Sequence, residues 1–226
     1  MGTRAHEPCP VCGTLVRLPD RLVSGGVTVG RESDLCPRFR GRQADGVRHL
    51  KAEISMCPSC HFAVRGDFSG VDLTPDERDE LAERLAGDGL LKVFGSASPG
   101  RPWLPFHAAE VSGKGRDLPA RELGEICLRA SWVCRKELDR PFESAFQTRA
   151  IRHFIRSLKE DPLPDRTLSV VVYLVGELNR RLGQHREALN WYANAERTMR
   201  DGGLEGLTWL ERMIEEQSKL AEAEAA

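Results

Sequence analysis

Cys57-Pro-Ser-Cys60 repeats, almost letter for letter, Cys9-Pro-Val-Cys12, with residues 13 to 56 between the two. Each Cys-Pro-x-Cys knuckle sets two thiols on one tight turn, where backbone amides help to hold charge on sulfur. A single Cys-x-x-Cys is a common redox or chance pattern. Two of them, each with Pro after its first Cys, supply the four thiolates at about 2.3 Å that a structural zinc ion takes. Cys9, Cys12, Cys57 and Cys60 are therefore read as ligands of one structural Zn2+. Free thiols or a redox pair are the competing readings.

The chain around this pair has 226 residues, 40% hydrophobic and 30% charged, with a formal net charge of −1. That composition supports a packed core and argues against wholesale disorder. The charge balance speaks against a protein built for non-specific nucleic-acid binding. Seven cysteines are an odd number, and four of them as metal ligands fit a reducing compartment better than a disulfide framework. Met1 to Glu7 has no apolar signal-peptide core, and no run approaches the ~18 apolar residues that span a bilayer. The expectation is a soluble, cytoplasmic protein.

The fold class expected is α+β, in three parts. Residues 1–70 form a small zinc-ribbon-like module. In it, Val27 and Val29, between Gly26 and Gly30, suggest a short strand. The run Val47 to Met56 alternates through Leu50, Ala52, Ile54 and Met56, and reads as a strand delivering Cys57 to the metal. Arg31 to Arg42, polar and punctuated by Pro and Gly, reads as a loop. Cys36 on that loop is either a further ligand or a small buried side chain beside the metal, the second being preferred because four better-placed thiolates exist. His49 and His61 are weaker ligand candidates, since neighbouring residues rarely reach one ion together. Arg38, Arg40 and Arg42 form a basic cluster, with no aromatic ladder for stacking bases.

Residues 71–118 hold a capped helix and a Pro/Gly-rich connection. Thr74, Pro75 and Glu77 spell a helix start with a capping box, Leu81 and Leu85 give its buried stripe, and Gly87 ends it. Residues 95–119 read as the longest irregular stretch, with Trp103 and Phe106 pinning it to a core.

Residues 119–226 form an all-α domain. Leu123, Ile126, Cys127, Ala130, Val133 and Cys134 recur at helical spacing, making Cys127 and Cys134 small core residues. Phe142 to Leu158 carries a second helix, closed off by Pro162 and Pro164. In the stretch Val172 to Ala195, the residues Gly176, Gly183, Ala188, Tyr192 and Ala195 fall at the small and aromatic positions of a tetratricopeptide repeat. Small residues there let paired helices approach while the tyrosine fills the space between them. A last amphipathic helix through Leu207, Leu210, Ile214, Gln217 and Ala221 caps the stack.

The order of these parts resembles the bacterial domain-of-unknown-function 2225 family. The resemblance is carried by Cys9-Pro-Val-Cys-Gly13, by Arg31-Glu-Ser-Asp-Leu-Cys36-Pro37, and by Cys57-Pro-Ser-Cys60 with Phe62-Ala63. Phe68 and Tyr173-Leu-Val-Gly-Glu-Leu-Asn-Arg-Arg-Leu-Gly183 add to it. It departs at His61, where Gly is expected, and in the loop from Arg38 to Gly46. The resemblance implies this architecture and no particular activity.

The reading of function that uses both informative stretches is a non-catalytic adaptor, in which a zinc-stabilised module precedes a helical repeat that binds a protein partner. The sequence holds no G-x-S-x-G elbow, Walker-type phosphate loop or H-E-x-x-H. Within the matched repeat, Tyr173, Glu177, Asn179, Arg180 and Arg181 are expected nearer the surface. Asn179, Arg180 and Tyr173 are the candidate partner-binding residues. One alternative is a zinc-ribbon nucleic-acid binder using Arg38, Arg40, Arg42, Arg48 and Lys51. Another is a thiol-disulfide enzyme with Cys9 or Cys57 as nucleophile, though redox cysteines favour a helix N-terminus over the end of a strand.

Overall fold

The computed structural model describes residues 6–19, 28–40, 43–86, 101–204 and 207–225. Among these, six short strands pair into three separate antiparallel hairpins. β1 (His6–Pro8) pairs with β2 (Leu15–Arg17), β3 (Thr28–Arg31) with β4 (Pro37–Phe39), and β5 (Ile54–Met56) with β6 (Ala63–Arg65). The strand expected near Val29 is present as β3, with Val29 exposed; Val27 lies outside the described residues.

Two expectations for this region are corrected. The run from Val47 to Met56 is not one strand: α1 (Gln43–Lys51) occupies its first half and only its last three residues are extended. Val47 and Leu50, three apart, are both buried and share the helix face that packs on the helix Ala120–Lys136. The apparent alternation came from a helix end running into a strand. The polar stretch from Arg31 to Arg42 is likewise more than a loop, because it contains β4 and a tight turn over residues 32–36.

α2 (Pro75–Ala86) begins as its sequence implies. The Thr74 N–H donates to Glu77 Oε2 at 2.8 Å, and Thr74 Oγ1 accepts from the Glu77 N–H at 3.3 Å. This is the reciprocal capping box. The expected stop at Gly87 lies outside the described residues, as do residues 88–100.

The long connection expected over 95–119 is corrected too, since Leu104–Gly115 is helix α3. Pro105 sits in its first turn, where a missing N–H costs nothing. Gly115 is there for contact: a Cβ on it would lie 2.5 Å from Leu81 Cδ2 of α2. Trp103 and Phe106 are buried, as expected, but at the start of this helix.

The remainder is helical: α4 (Ala120–Lys136), α5 (Arg140–Glu160), α6 (Asp165–Arg181), α7 (His185–Asp201) and α8 (Thr208–Ala225). α4 packs along α5, α6 along α7, and α8 lies on α7. In the α6–α7 hairpin, a Cβ on Gly176 would fall 2.8 Å from the Tyr192 ring, so the glycine is what lets the tyrosine seat. Ala188, Tyr192 and Ala195 are buried, and α8 buries Leu210, Ile214, Gln217 and Ala221. No helix among the described residues is long and apolar enough to cross a membrane.

Among the described residues apolar burial divides into two cores, and residue 70 does not separate them. The larger runs through α3 to α8 and also takes in Cys36, Val47, Leu50, Ile54 and Ala63. The smaller joins Cys9, Val11, Val16, Cys57, Phe62, Val64 and Phe68 to Leu81 and Leu85 of α2. The β5–β6 hairpin contributes to both.

Candidate metal centre

The two knuckles are the tips of matching hairpins. Cys9 to Thr14 follows β1 and Cys57 to Phe62 follows β5, six residues in each case. The Cys9 N–H donates to Thr14 O at 2.9 Å, and the Cys57 N–H donates to Phe62 O at 2.8 Å. Inside each turn, the residue after the second cysteine bonds back to the first: Gly13 N–H to Cys9 O at 2.9 Å, and His61 N–H to Cys57 O at 3.0 Å. Both adopt the left-handed region, with φ of 73° and 61°. His61 therefore keeps the turn for which glycine was expected, at the cost of backbone strain that Gly13 does not bear.

The hairpins bring four sulfurs together. Cys9 Sγ lies 3.6 Å from Cys60 Sγ, and Cys12 Sγ 3.6 Å from Cys57 Sγ. All four lie within 4.8 Å of one another. A tetrahedron with metal–sulfur bonds of about 2.3 Å has edges of about 3.8 Å, so this donor set fits one metal ion. The contact with Cys60 draws the Cys9 thiol down to about 5 against the opposing effect of burial; the same contact, and then burial, push Cys60 up. A thiolate is thus favoured at the site. Cys9 and Cys57 are buried in the smaller core, while Cys12 is exposed.

His61 sits within the second knuckle but is not among the four clustered donors, and Cys36 and His49 lie elsewhere. Cys36 is fully buried as expected, but in the larger core, so placing it beside the metal is corrected. Its thiol is pushed up to about 12 by burial and then by Asp34 and Glu32. The His49 ring packs on Phe39 with centroids 4.7 Å apart. Of the basic candidates, Arg38, Arg40 and Arg48 are exposed, Lys51 pairs with Glu137 at 3.5 Å, and Arg42 lies outside the described residues.

The surface expected on α6 is also corrected, because Tyr173, Glu177 and Asn179 are buried. Asn179 Nδ2 donates to Val175 O at 2.7 Å within its own helix. Tyr173 Oη donates to Ser33 O at 2.7 Å. Arg180 bonds both oxygens of Glu177, each at 3.0 Å. The α6 face is turned inward because it receives the turn between β3 and β4.

Glu177 is the centre of that contact. Beside Arg180, it accepts from Ser33 Oγ at 2.6 Å, Arg181 Nε at 2.7 Å and Tyr192 Oη at 2.9 Å. On the turn itself, Arg135 of α4 binds Glu32 Oε2 at 2.5 Å and also Asp34. Burial, and then the Glu177 charge, raise the phenols of Tyr173 and Tyr192, keeping both protonated as donors. The two stretches Glu32-Ser-Asp34 and Glu177-Leu-Asn-Arg-Arg181 thus bind each other. Their opposite charges were a signal available in the sequence, and reading Glu177 as exposed missed it.

No solved structure and no curated protein matches the chain. A family described as an uncharacterised protein conserved in bacteria, DUF2225, matches over residues 4–221. That span takes in both knuckles, the acidic turn and all the described helices to Ala221, and the chain belongs to this family.

Proposed function

We propose that this protein is a non-catalytic, zinc-stabilised adaptor that holds a protein partner in the cytoplasm. The observation that carries the reading is the complete set of four converging thiols. Four thiolates saturate a tetrahedral zinc and leave no position for a water or a substrate, which is the arrangement of a structural site. Zinc suits the set better than harder cations, which prefer oxygen donors. The α6–α7 hairpin, with Gly176 against Tyr192, supports a tetratricopeptide-like stack, and such stacks serve chiefly to present binding surfaces. With the α6 face occupied by the β3–β4 turn, the partner surface falls to the outward faces of the helices rather than to Tyr173 and Asn179.

X-ray absorption at no more than one zinc per chain, where only the tightest site is filled, tests the first half, with four sulfurs at about 2.3 Å expected. A first shell containing an exchangeable oxygen would overturn the closed-site reading. For the second half, partners captured by the zinc-loaded protein are purified and rebinding is measured by calorimetry. Saturable binding to a folded protein is expected; loss of every captured partner on purification would overturn the adaptor role.

A further inference from the structure

The larger core contains a second group of metal-binding side chains, built from three successive helices. Glu110 of α3, Cys127 of α4 and His153 of α5 each offer a donor atom, all within 4.8 Å of one another, and all three residues are buried. His153 Nε2 lies 2.9 Å from Glu110 Oε1. This separation is somewhat short of the edge between nitrogen and oxygen ligands on an ion with bonds of about 2.0–2.1 Å, so a small adjustment seats both. We propose that Glu110, Cys127 and His153 form a second site for a zinc-class divalent cation, separate from the four-cysteine centre.

Two cations already attend Glu110, and they decide whether such an ion can enter. Lys114 Nζ lies 2.8 Å from Glu110 Oε1, and Arg149 binds the other oxygen, Oε2. Arg149 can stay where it is, as an outer partner orienting the ligating carboxylate. Lys114 occupies the oxygen that faces His153, so it must leave. Its side chain is 44% exposed, on the last turn of α3, and it lines a surface depression of about 430 Å3 with Leu118, Leu123 and Arg156. Swinging the ammonium outward places it in water and opens the way in.

The exchange conserves charge. Before it, the buried group carries Lys114+, Arg149+, Glu110− and a neutral Cys127 thiol. Afterwards it carries M2+, Arg149+, Glu110− and the Cys127 thiolate, with His153 still neutral but its proton on Nδ1 instead of Nε2, while Lys114+ is solvated and the Cys127 proton has passed to solvent. The sum is +1 in both states, so the ion brings no net charge into the core. One sulfur, one imidazole nitrogen and one carboxylate oxygen make a borderline donor set, which selects zinc over magnesium or calcium.

The experiment uses the full-length chain, stripped of metal and titrated with Zn2+, with ions per chain counted by native mass spectrometry. Two are expected. Cys57→Ser with Cys60→Ser should abolish the first site and leave one ion. Cys127→Ser with His153→Gln should instead leave the four-cysteine ion alone. Lys114→Gln separates this proposal from a plain buried ion-pair group: removing the competitor should tighten the second site by about tenfold or more. The proposal is overturned by a single ion per chain at excess Zn2+, by a second ion that survives Cys127→Ser with His153→Gln, or by a Lys114→Gln variant with no gain in affinity. The Cys57→Ser, Cys60→Ser variant reports on the four-cysteine centre, so failure of either site is seen independently of the other.

Discussion

The two knuckles share one turn but sit in different surroundings. The first hangs between β1 and β2, whose only buried strand residue is Val16, and its Cys12 faces solvent. The second is carried by β5 and β6, where Ile54 and Ala63 reach into the large helical core. The same motif is thus anchored once by its sulfur cluster and a few apolar side chains, and once by the helical stack as well. For a small module, the binding energy of a structural metal is largely its folding energy. Burial of a large apolar surface needs no such help. A metal held there should therefore matter most for the first knuckle and the smaller core, and little for the turn over residues 32–36, although that turn lies between the two knuckles in the sequence.

The largest effect should follow metal removal. Chelation, or Cys57→Ser, is expected to release β1–β2 and loosen α2 while the helical signal in circular dichroism from α3 to α8 persists. Thiol labelling at pH 8 makes this a residue-level test. After chelation Cys9, Cys12, Cys57 and Cys60 should react within minutes. Cys36, Cys127 and Cys134 should stay unlabelled, because burial keeps the first two thiols near 12 and raises Cys134 further. The thiolate is the reactive form, so labelling of Cys36 should quicken as pH rises toward 12. Rapid labelling of Cys36 at pH 8 would show that the acidic turn falls with the metal.

The next effect probes the non-metal tie. Glu177→Ala leaves Arg180 and Arg181 without their buried carboxylate and removes the acceptor of Ser33 and Tyr192. Breaking a buried pair from one side costs about 3–5 kcal/mol, and the arginines here, partly exposed, place the expectation at the lower end. Urea unfolding of the metal-loaded protein measures it. A loss below about 1 kcal/mol would mean that the turn adds little to the stack.

A smaller loss is expected inside the stack itself. Gly176→Val forces a branched side chain where even a Cβ would lie 2.8 Å from the Tyr192 ring. Overpacking of this kind costs about 2 kcal/mol, read as a fall in melting temperature with the metal content unchanged. A variant that loses metal as well would show that the two cores unfold as one.

What was legible in the sequence follows the same division. The cluster of four cysteines could be read because a metal site needs only residue type and spacing, and the helices from Ala120 onward because their stripes are long. The capping box at Thr74 was legible for a similar reason: all its parts lie within one turn. Val47 to Met56 misled because five helical residues and three extended ones present too short a sample of either period. Gly113 and Gly115 lie in the stretch read as a Pro/Gly-rich connection, although they serve close packing of α3. The inward turn of Glu177 depends on a partner 144 positions away, which no local pattern contains. Glu110, Cys127 and His153, likewise, become a group only when three helices are laid side by side.

The smallest expected effect compares the knuckles directly. Gly13 and His61 hold equivalent positions after the second cysteine, with nearly the same positive φ. A Cβ on Gly13 would meet nothing within 4 Å, so Gly13→Ala should cost the backbone strain less the freedom it removes from the unfolded chain, about 1 kcal/mol net. His61→Gly removes that strain from the second knuckle but adds freedom to the unfolded chain, which offsets part of the gain. Loss of the imidazole's own interactions offsets more of it, so the expected effect lies within about 1 kcal/mol of zero. Thermal unfolding of the two variants at saturating Zn2+, where the metal sites are full, measures both. If His61→Gly instead destabilises the protein by more than about 1 kcal/mol, the imidazole is making a contact worth more than the strain it imposes. The two hairpins would then be equivalent in backbone geometry alone.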